Sequence, residues 1–124
     1  MIFLDTNIVI WSYQANKELL TKAVVEHMDK DDLFVSPMVK LELQYLYEIK
    51  RSSVKPDKVL SSLYQSIGLS MHDESFMRVV ESANHIPWTR DPFDRLITAH
   101  AKATDSILLT ADKVIRKHYK KAIY

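Results

Sequence analysis

The sequence predicts an α/β fold of three layers, with helices on both faces of a central, mostly parallel sheet of four to five strands. Two observations carry this expectation. The apolar runs are short and unbroken, as in Ile2-Phe3-Leu4, Leu33-Phe34-Val35 and Ile107-Leu108-Leu109, which is how strands buried on both faces read. Longer amphipathic segments separate them, and such alternation marks βαβ units. The 124 residues, 47% of them apolar, suit one domain over residues 1–124 with a core of its own.

Taken in order, Ile2–Leu4 is expected as a strand ending at Asp5, followed by helices over 7–14 and 17–29. Leu33–Val35 is the second strand. Ser36-Pro37 supplies an N-cap with proline at the first helical position, and that helix is expected to reach about Arg51. Pro56-Asp57 opens another, with Val59, Leu60, Leu63 and Tyr64 on one face. Ile67 to Ser70 is expected as the third strand and Glu74 to about Asn84 as a helix. Asp91-Pro92 repeats the cap-and-proline signal before a helix to about Thr104. Ser106–Thr110 forms the fourth strand, Asp112–His118 a short helix, and Ala122–Tyr124 a last strand.

Composition excludes several chemistries. The chain has no cysteine, so it has no disulfide scaffold, thiolate zinc site or cysteine nucleophile. Gly68 is the only glycine, which excludes glycine-rich phosphate loops. No apolar run approaches the roughly 20 residues of a membrane span, and the first residues lack the features of a signal peptide; a cytoplasmic protein is expected. The formal charge of +1 conceals an asymmetry. Residues 113–124 carry Lys113, Arg116, Lys117, Lys120 and Lys121 with no acid, whereas the rest holds 12 basic and 16 acidic residues. Such a tail either holds a polyanion or is a solvated helix end.

Candidate chemistry lies in the acids. Asp5 directly follows the first strand and Asp112 closely follows the fourth. In parallel sheets, ligands bind outside these carboxyl ends. Asp91 and Asp94 open a helix. Glu42 shares a helix face with Met38, Tyr45 and Ile49, where a charge is costly unless compensated. Each acid has an ordinary explanation. Asp5, Asp91 and Asp112 suit helix caps, Asp94 a capping box with Asp91, and Glu42 a partner such as Arg95. Caps alone do not explain why strand-end acids coincide with an acid on an apolar face. Converging carboxylates repel unless cations neutralise them, and oxygen-only ligands suit Mg²⁺ or Mn²⁺. Such ions promote phosphodiester hydrolysis.

Four segments, Leu4-Asp5-Thr6-Asn7, Val39-Lys40-Leu41-Glu42-Leu43, Arg90-Asp91-Pro92-Phe93-Asp94-Arg95-Leu96-Ile97 and Leu109-Thr110-Ala111-Asp112, together resemble a PIN domain of the VapC toxin type. The resemblance spans nearly the whole chain. It implies a Mg²⁺- or Mn²⁺-dependent ribonuclease with one or two ions, in which Asp5, Glu42, Asp94 and Asp112 match the acidic quartet. Thr6 and Thr110 match assisting hydroxyl positions, with Asn7 and Asp91 in supporting places. Arg95 would approach phosphate, hold a carboxylate or form a structural salt bridge. The implied reaction is hydrolysis by metal-activated water, leaving 3′-hydroxyl and 5′-phosphate ends. Lys113, Arg116, Lys117, Lys120 and Lys121 are the expected RNA contacts.

The resemblance also implies a homodimer and a cognate antitoxin. A surplus of apolar side chains (Met38, Leu41, Tyr45, Leu46, Tyr47 and Ile49, with Trp11, Tyr13 and Met28) fits such interfaces. His100 falls with Phe93, Leu96 and Ile97 and is read as a packed core residue. His27, His72, His85 and His118 are expected at the surface. Alternatives are a catalytically silent PIN-fold scaffold, a non-toxin RNA-processing nuclease, and a phosphoacceptor domain, the last lacking an aspartate after a middle strand.

Overall fold

The computed structural model covers residues 1–124. Five strands and seven helices follow in the order β1 (Ile2–Leu4), α1 (Thr6–Tyr13), α2 (Lys22–Met28), β2 (Leu33–Val35), α3 (Pro37–Glu48), α4 (Pro56–Ile67), β3 (Ser70–Met71), α5 (Phe76–Ala83), α6 (Pro92–Ala103), β4 (Ile107–Leu109), α7 (Lys113–His118) and β5 (Ala122–Ile123). The sheet order is β3-β2-β1-β4-β5, and every neighbouring pair is parallel. The expected α/β architecture is therefore present, with all five strands running one way. No helix is long and apolar enough to cross a membrane.

The sheet order places the site. From β1 the chain builds outward through β2 to β3, then crosses to the other side of β1 to add β4 and β5. The reversal falls between β2 and β4, on either side of β1, where ligands bind in such sheets. Register pairs Leu4 with Leu109, so the residues that leave the ends of β1 and β4 emerge together.

Burial anchors this arrangement. Phe3, Leu4, Ile8, Val9, Ile97, Leu108 and Leu109 are all inaccessible to solvent, and burying each such side chain contributes about 1.5–3 kcal/mol. A second, smaller cluster of Val79, Ala83, Ile86 and Ala99 joins α5 to α6.

Several boundaries differ from expectation for physical reasons. The second helix starts at Lys22 rather than residue 17, because Thr21 caps it by accepting from the Val24 amide at 3.2 Å. Helix α3 ends at Glu48 rather than Arg51, since Lys50 turns left-handed with φ 62° and Arg51 closes the end by donating to Leu46. Ile67 belongs to the last turn of α4, which Gly68 terminates at φ 69°; β3 thus begins only at Ser70. Trp11, Tyr13 and Met28 pack against the core rather than extending an exposed patch. On α3 the surplus is real but narrower: Leu41, Tyr45 and Ile49 are exposed, at 54%, 47% and 43%.

His100 is buried, as expected. Of the histidines expected at the surface, His85 and His118 are exposed but His27 and His72 are half-buried. The His72 amide donates to Val35, continuing the β3–β2 pairing, and this turns its ring inward against Phe3 and Phe34. There His72 Nδ1 lies 3.0 Å from His100 Nε2, and His100 Nδ1 lies 3.1 Å from Ser36 Oγ. Burial lowers the His100 pKa to about 4.

Candidate active site

Asp5 is the centre of the site and is almost completely buried. Its backbone leaves β1 still paired, donating to Leu109 of β4. Its side chain begins α1: Oδ1 accepts from the Thr6 amide at 2.8 Å, and Oδ2 accepts the Thr110 hydroxyl at 2.6 Å. Burial raises its pKa, against the lowering effect of the Thr110 and Thr6 bonds. The expected cap and the expected site acid are thus one carboxylate with two donors.

Asp112 caps α7 through one oxygen only, with Oδ1 accepting from the Val114 and Ile115 amides at 2.8 and 2.9 Å. Thr110 Oγ1 accepts from the Asp112 amide at 3.1 Å. One hydroxyl therefore joins Asp5 to the strand-end turn that carries Asp112.

Asp91 caps α6 by accepting from the Asp94 amide at 3.0 Å. The expected reciprocal bond does not form, because the Asp91 amide donates to Thr89 instead. The Asp94 carboxylate is left unengaged by its own helix. Burial, followed by repulsion from Asp5, Asp91, Asp112 and Glu42, raises its pKa to about 7.

Glu42 stands half-buried on α3, and burial raises its pKa as well, with Asp5 and Asp91 adding repulsion. No ion pair compensates Glu42 or Asp94. Thr6 Oγ1 is buried beside Glu42 and favours its charged form as a neighbouring dipole, yet makes no hydrogen bond of ordinary geometry.

Other expectations separate from this centre. Asn7 is exposed. Arg95 neither pairs with Glu42 nor forms a salt bridge; its Nε donates to the Ala83 carbonyl at 2.9 Å, tying α6 to the end of α5. The basic tail does not present five free charges. Lys121 pairs with Asp105 at 2.8 Å, and Arg116 lies over the Tyr124 ring while donating to Ala111. Lys113, Lys117 and Lys120 remain exposed and unpaired.

None of the five main cavities is lined by Asp5, Glu42, Asp94 or Asp112. No three His, Asp or Glu side chains form a ready cage for a cation. The donor set is nevertheless of one kind: carboxylates that repel one another, with an unpartnered buried hydroxyl beside them. That chemistry fits a hard divalent ion.

The PIN domain family matches residues 2–121. The chain belongs to the PIN domain family. Proteins of this family are generally nucleases that use divalent metals. No curated protein matches the chain in sequence. Among solved structures, this PIN domain is similar to VapBC2 from Rickettsia felis bound to a promoter DNA fragment, at TM-score 0.69 and 21% identity, covering all of this chain and 98% of that one. A toxin–antitoxin complex from Klebsiella pneumoniae matches at TM-score 0.71 and 14% identity, covering 100% and 97%. DNA-bound VapBC from Salmonella typhimurium matches at 0.65 and 19%, covering 99% and 96%. At these identities the likeness is one of fold.

The His72–His100–Ser36 contacts and the Thr89 interaction with Asp91 are not visible in motifs.

Proposed function

We propose that this PIN domain is a Mg²⁺- or Mn²⁺-dependent endoribonuclease of the VapC type, the toxin of a toxin–antitoxin pair, acting in the cytoplasm. The observation that carries the reading is Asp94, a half-buried carboxylate without cation or donor, raised to about pKa 7 by burial and then by repulsion from Asp5, Asp91, Asp112 and Glu42. An uncompensated, partly buried charge of this kind marks a functional site and costs stability until a ligand neutralises it.

Asp5, Glu42, Asp94 and Asp112 would hold one or two ions. When bound, these ions neutralise the acids, polarise a phosphoryl oxygen and activate water for hydrolysis, leaving 3′-hydroxyl and 5′-phosphate ends. The protein's own residues position the parts. The Thr6 amide and the Thr110 hydroxyl fix both oxygens of Asp5. Asp112 is oriented by the α7 cap through Oδ1, leaving Oδ2 without a protein donor. The Thr6 hydroxyl, lacking a partner, is available to a phosphate oxygen or water. Asp91 sets the start of α6 and thereby the place of Asp94. Arg95 supports that helix from behind through Ala83.

Two exposed apolar patches support protein partners, namely a second copy and an antitoxin. One is Leu41, Tyr45 and Ile49 on α3, the helix of Glu42; the other is Phe76 and Met77 on α5, exposed at 69% and 83%. The Rickettsia felis and Salmonella typhimurium neighbours are VapBC proteins, which favours the antitoxin reading.

Mapping of RNA ends after incubation with Mn²⁺ tests the activity. Cuts with 5′-phosphate ends that vanish with chelator and with Asp94→Asn are expected. Unchanged cleavage by Asp94→Asn would assign the activity to another site. Co-purification with the product of a small adjacent reading frame tests the antitoxin half.

A further inference from the structure

Away from the acids, a cavity of about 360 Å³ lies among α6, the α5–α6 loop and the α7–β5 connection. Its volume falls within the roughly 300–1,000 Å³ of small-molecule sites. Three chemical features meet there. Lys102 and Lys120 are exposed and in no ion pair, while the third lysine, Lys121, is held by Asp105. The rings of Trp88 and His118 stack, with centroids 4.8 Å apart and planes 8° from parallel, and form an aromatic wall. Thr98 lines the floor; it is fully buried and its Oγ1 has no hydrogen-bond partner.

The Thr98 hydroxyl is the unusual member. Inside a helix, threonine ordinarily satisfies its hydroxyl on a carbonyl one turn back. Thr104, at the end of the same helix, does so, donating to His100 and Ala101. Thr98 does not, and a buried polar group without a partner is costly. Lys102 follows it by one helical turn, on the same face of α6. The charge balance around the cavity is three lysines against Asp105 alone, so the occupant is an anion and not a cation. An aromatic wall adds nothing to the binding of a small inorganic anion, but it does select a planar ring.

We infer that this cavity binds one nucleotide, with its base against the Trp88–His118 wall and its phosphate between Lys102 and Lys120. Stacking on aromatic rings beside cationic side chains is the general way unpaired nucleotides are held. The nucleotide is either free or one unit of a single strand. In the second case the cavity anchors a strand at a distance from the acidic site, a use that rests on the nuclease reading; occupancy itself does not.

Nuclear magnetic resonance titrations of the whole protein in chelator, where no strand is cut, test the inference. The probes are AMP, adenosine, ribose 5-phosphate and a 5′-phosphorylated oligoadenylate. AMP is expected to shift signals of Trp88, Thr98, Lys102 and His118–Lys121, and to bind about tenfold more tightly than adenosine or ribose 5-phosphate. The Lys102→Ala/Lys120→Ala variant, altered only at exposed positions, is expected to weaken AMP about tenfold without change in Tm. His118→Ala is expected to weaken AMP while leaving ribose 5-phosphate unaffected. Tighter binding of the oligoadenylate than of AMP assigns the cavity to a strand, and equal binding assigns it to a free nucleotide. Ribose 5-phosphate binding as tightly as AMP, shifts confined to Asp5, Glu42 and Asp94, no shift at millimolar AMP, or displacement of AMP by an acidic peptide of higher affinity would each overturn the inference. Because binding is read without cleavage, its failure leaves the nuclease reading intact, and loss of cleavage leaves this one intact.

Discussion

Thr110 and Asp5, 105 residues apart in sequence, share the shortest side-chain bond of the site, 2.6 Å from hydroxyl to Oδ2. Thr110 also accepts from the Asp112 amide, so one side chain braces two acids. Thr110→Val removes this donor from a buried carboxylate and is expected to cost about 1–3 kcal/mol of stability. The Asp5 pKa should rise further and cleavage should fall, with Thr110→Ser restoring both. Denaturant unfolding of the three proteins checks this; equal midpoints for Val and wild type would contradict it.

Asp94 sets site chemistry against stability. Its pKa is 3.8 ordinarily and about 7 in the fold, so between these values the folded state keeps a proton that the unfolded chain has lost. Its contribution is therefore fully present below about pH 4, is lost as pH rises through about 7, and changes no further above that. In chelator above pH 7, Asp94→Asn is expected to be more stable than wild type by about 1–2 kcal/mol, a figure reduced for its partial exposure. Thermal unfolding across pH measures this. A less stable variant at pH 8 would mean that the carboxylate is compensated.

His100 works in the opposite sense. With its pKa lowered from 6.5 to about 4, the unfolded chain takes up a proton below about pH 6.5 that the folded protein refuses. Stability should fall by up to about 3 kcal/mol between pH 6.5 and 4. His100→Gln, which keeps hydrogen-bonding capacity toward Ser36 and His72, should flatten this part of the curve. A wild-type curve level across that interval would count against the buried neutral histidine.

Ala15, Lys50 and Asp105 adopt left-handed backbone at φ 51°, 62° and 53°, each just beyond a helix. Only Gly68 does so with glycine. Left-handed geometry costs an L-residue about 1–2 kcal/mol, partly offset by the extra unfolded freedom of glycine. Ala15→Gly is therefore expected to stabilise the fold by about 0.5–1 kcal/mol. A lowered Tm would refute it.

The sheet and most helices are readable from sequence because their signals are local. Unbroken apolar triplets mark β1, β2 and β4, and a cap followed by proline marks α3 and α6. The boundaries that shift, at Thr21, Lys50 and Ile67, are those where a side-chain cap or a left-handed residue ends an element that hydrophobic pattern would continue. Asp5, Glu42, Asp94 and Asp112 are legible as candidates because, although each has an ordinary local explanation, caps alone do not explain why strand-end acids coincide with an acid on an apolar helix face.

The residue types of the site, the absence of cysteine and the unequal spread of charge are properties of the sequence alone. Which acids meet, and which stay unpaired, depends on tertiary structure. Local rules pair Asp94 with the Asp91 amide and offer Arg95 to Glu42. In the fold, Thr89 takes that amide and Ala83 takes Arg95, and both carboxylates remain without a partner. The tail divides likewise: Asp105 engages Lys121, while Lys120 joins Lys102 beside the Trp88–His118 wall. The physical reason is that burial, repulsion and hydrogen-bond competition act between side chains that β1, α3, α6 and the end of β4 bring together, and the winning partner is set by that packing rather than by the local motif.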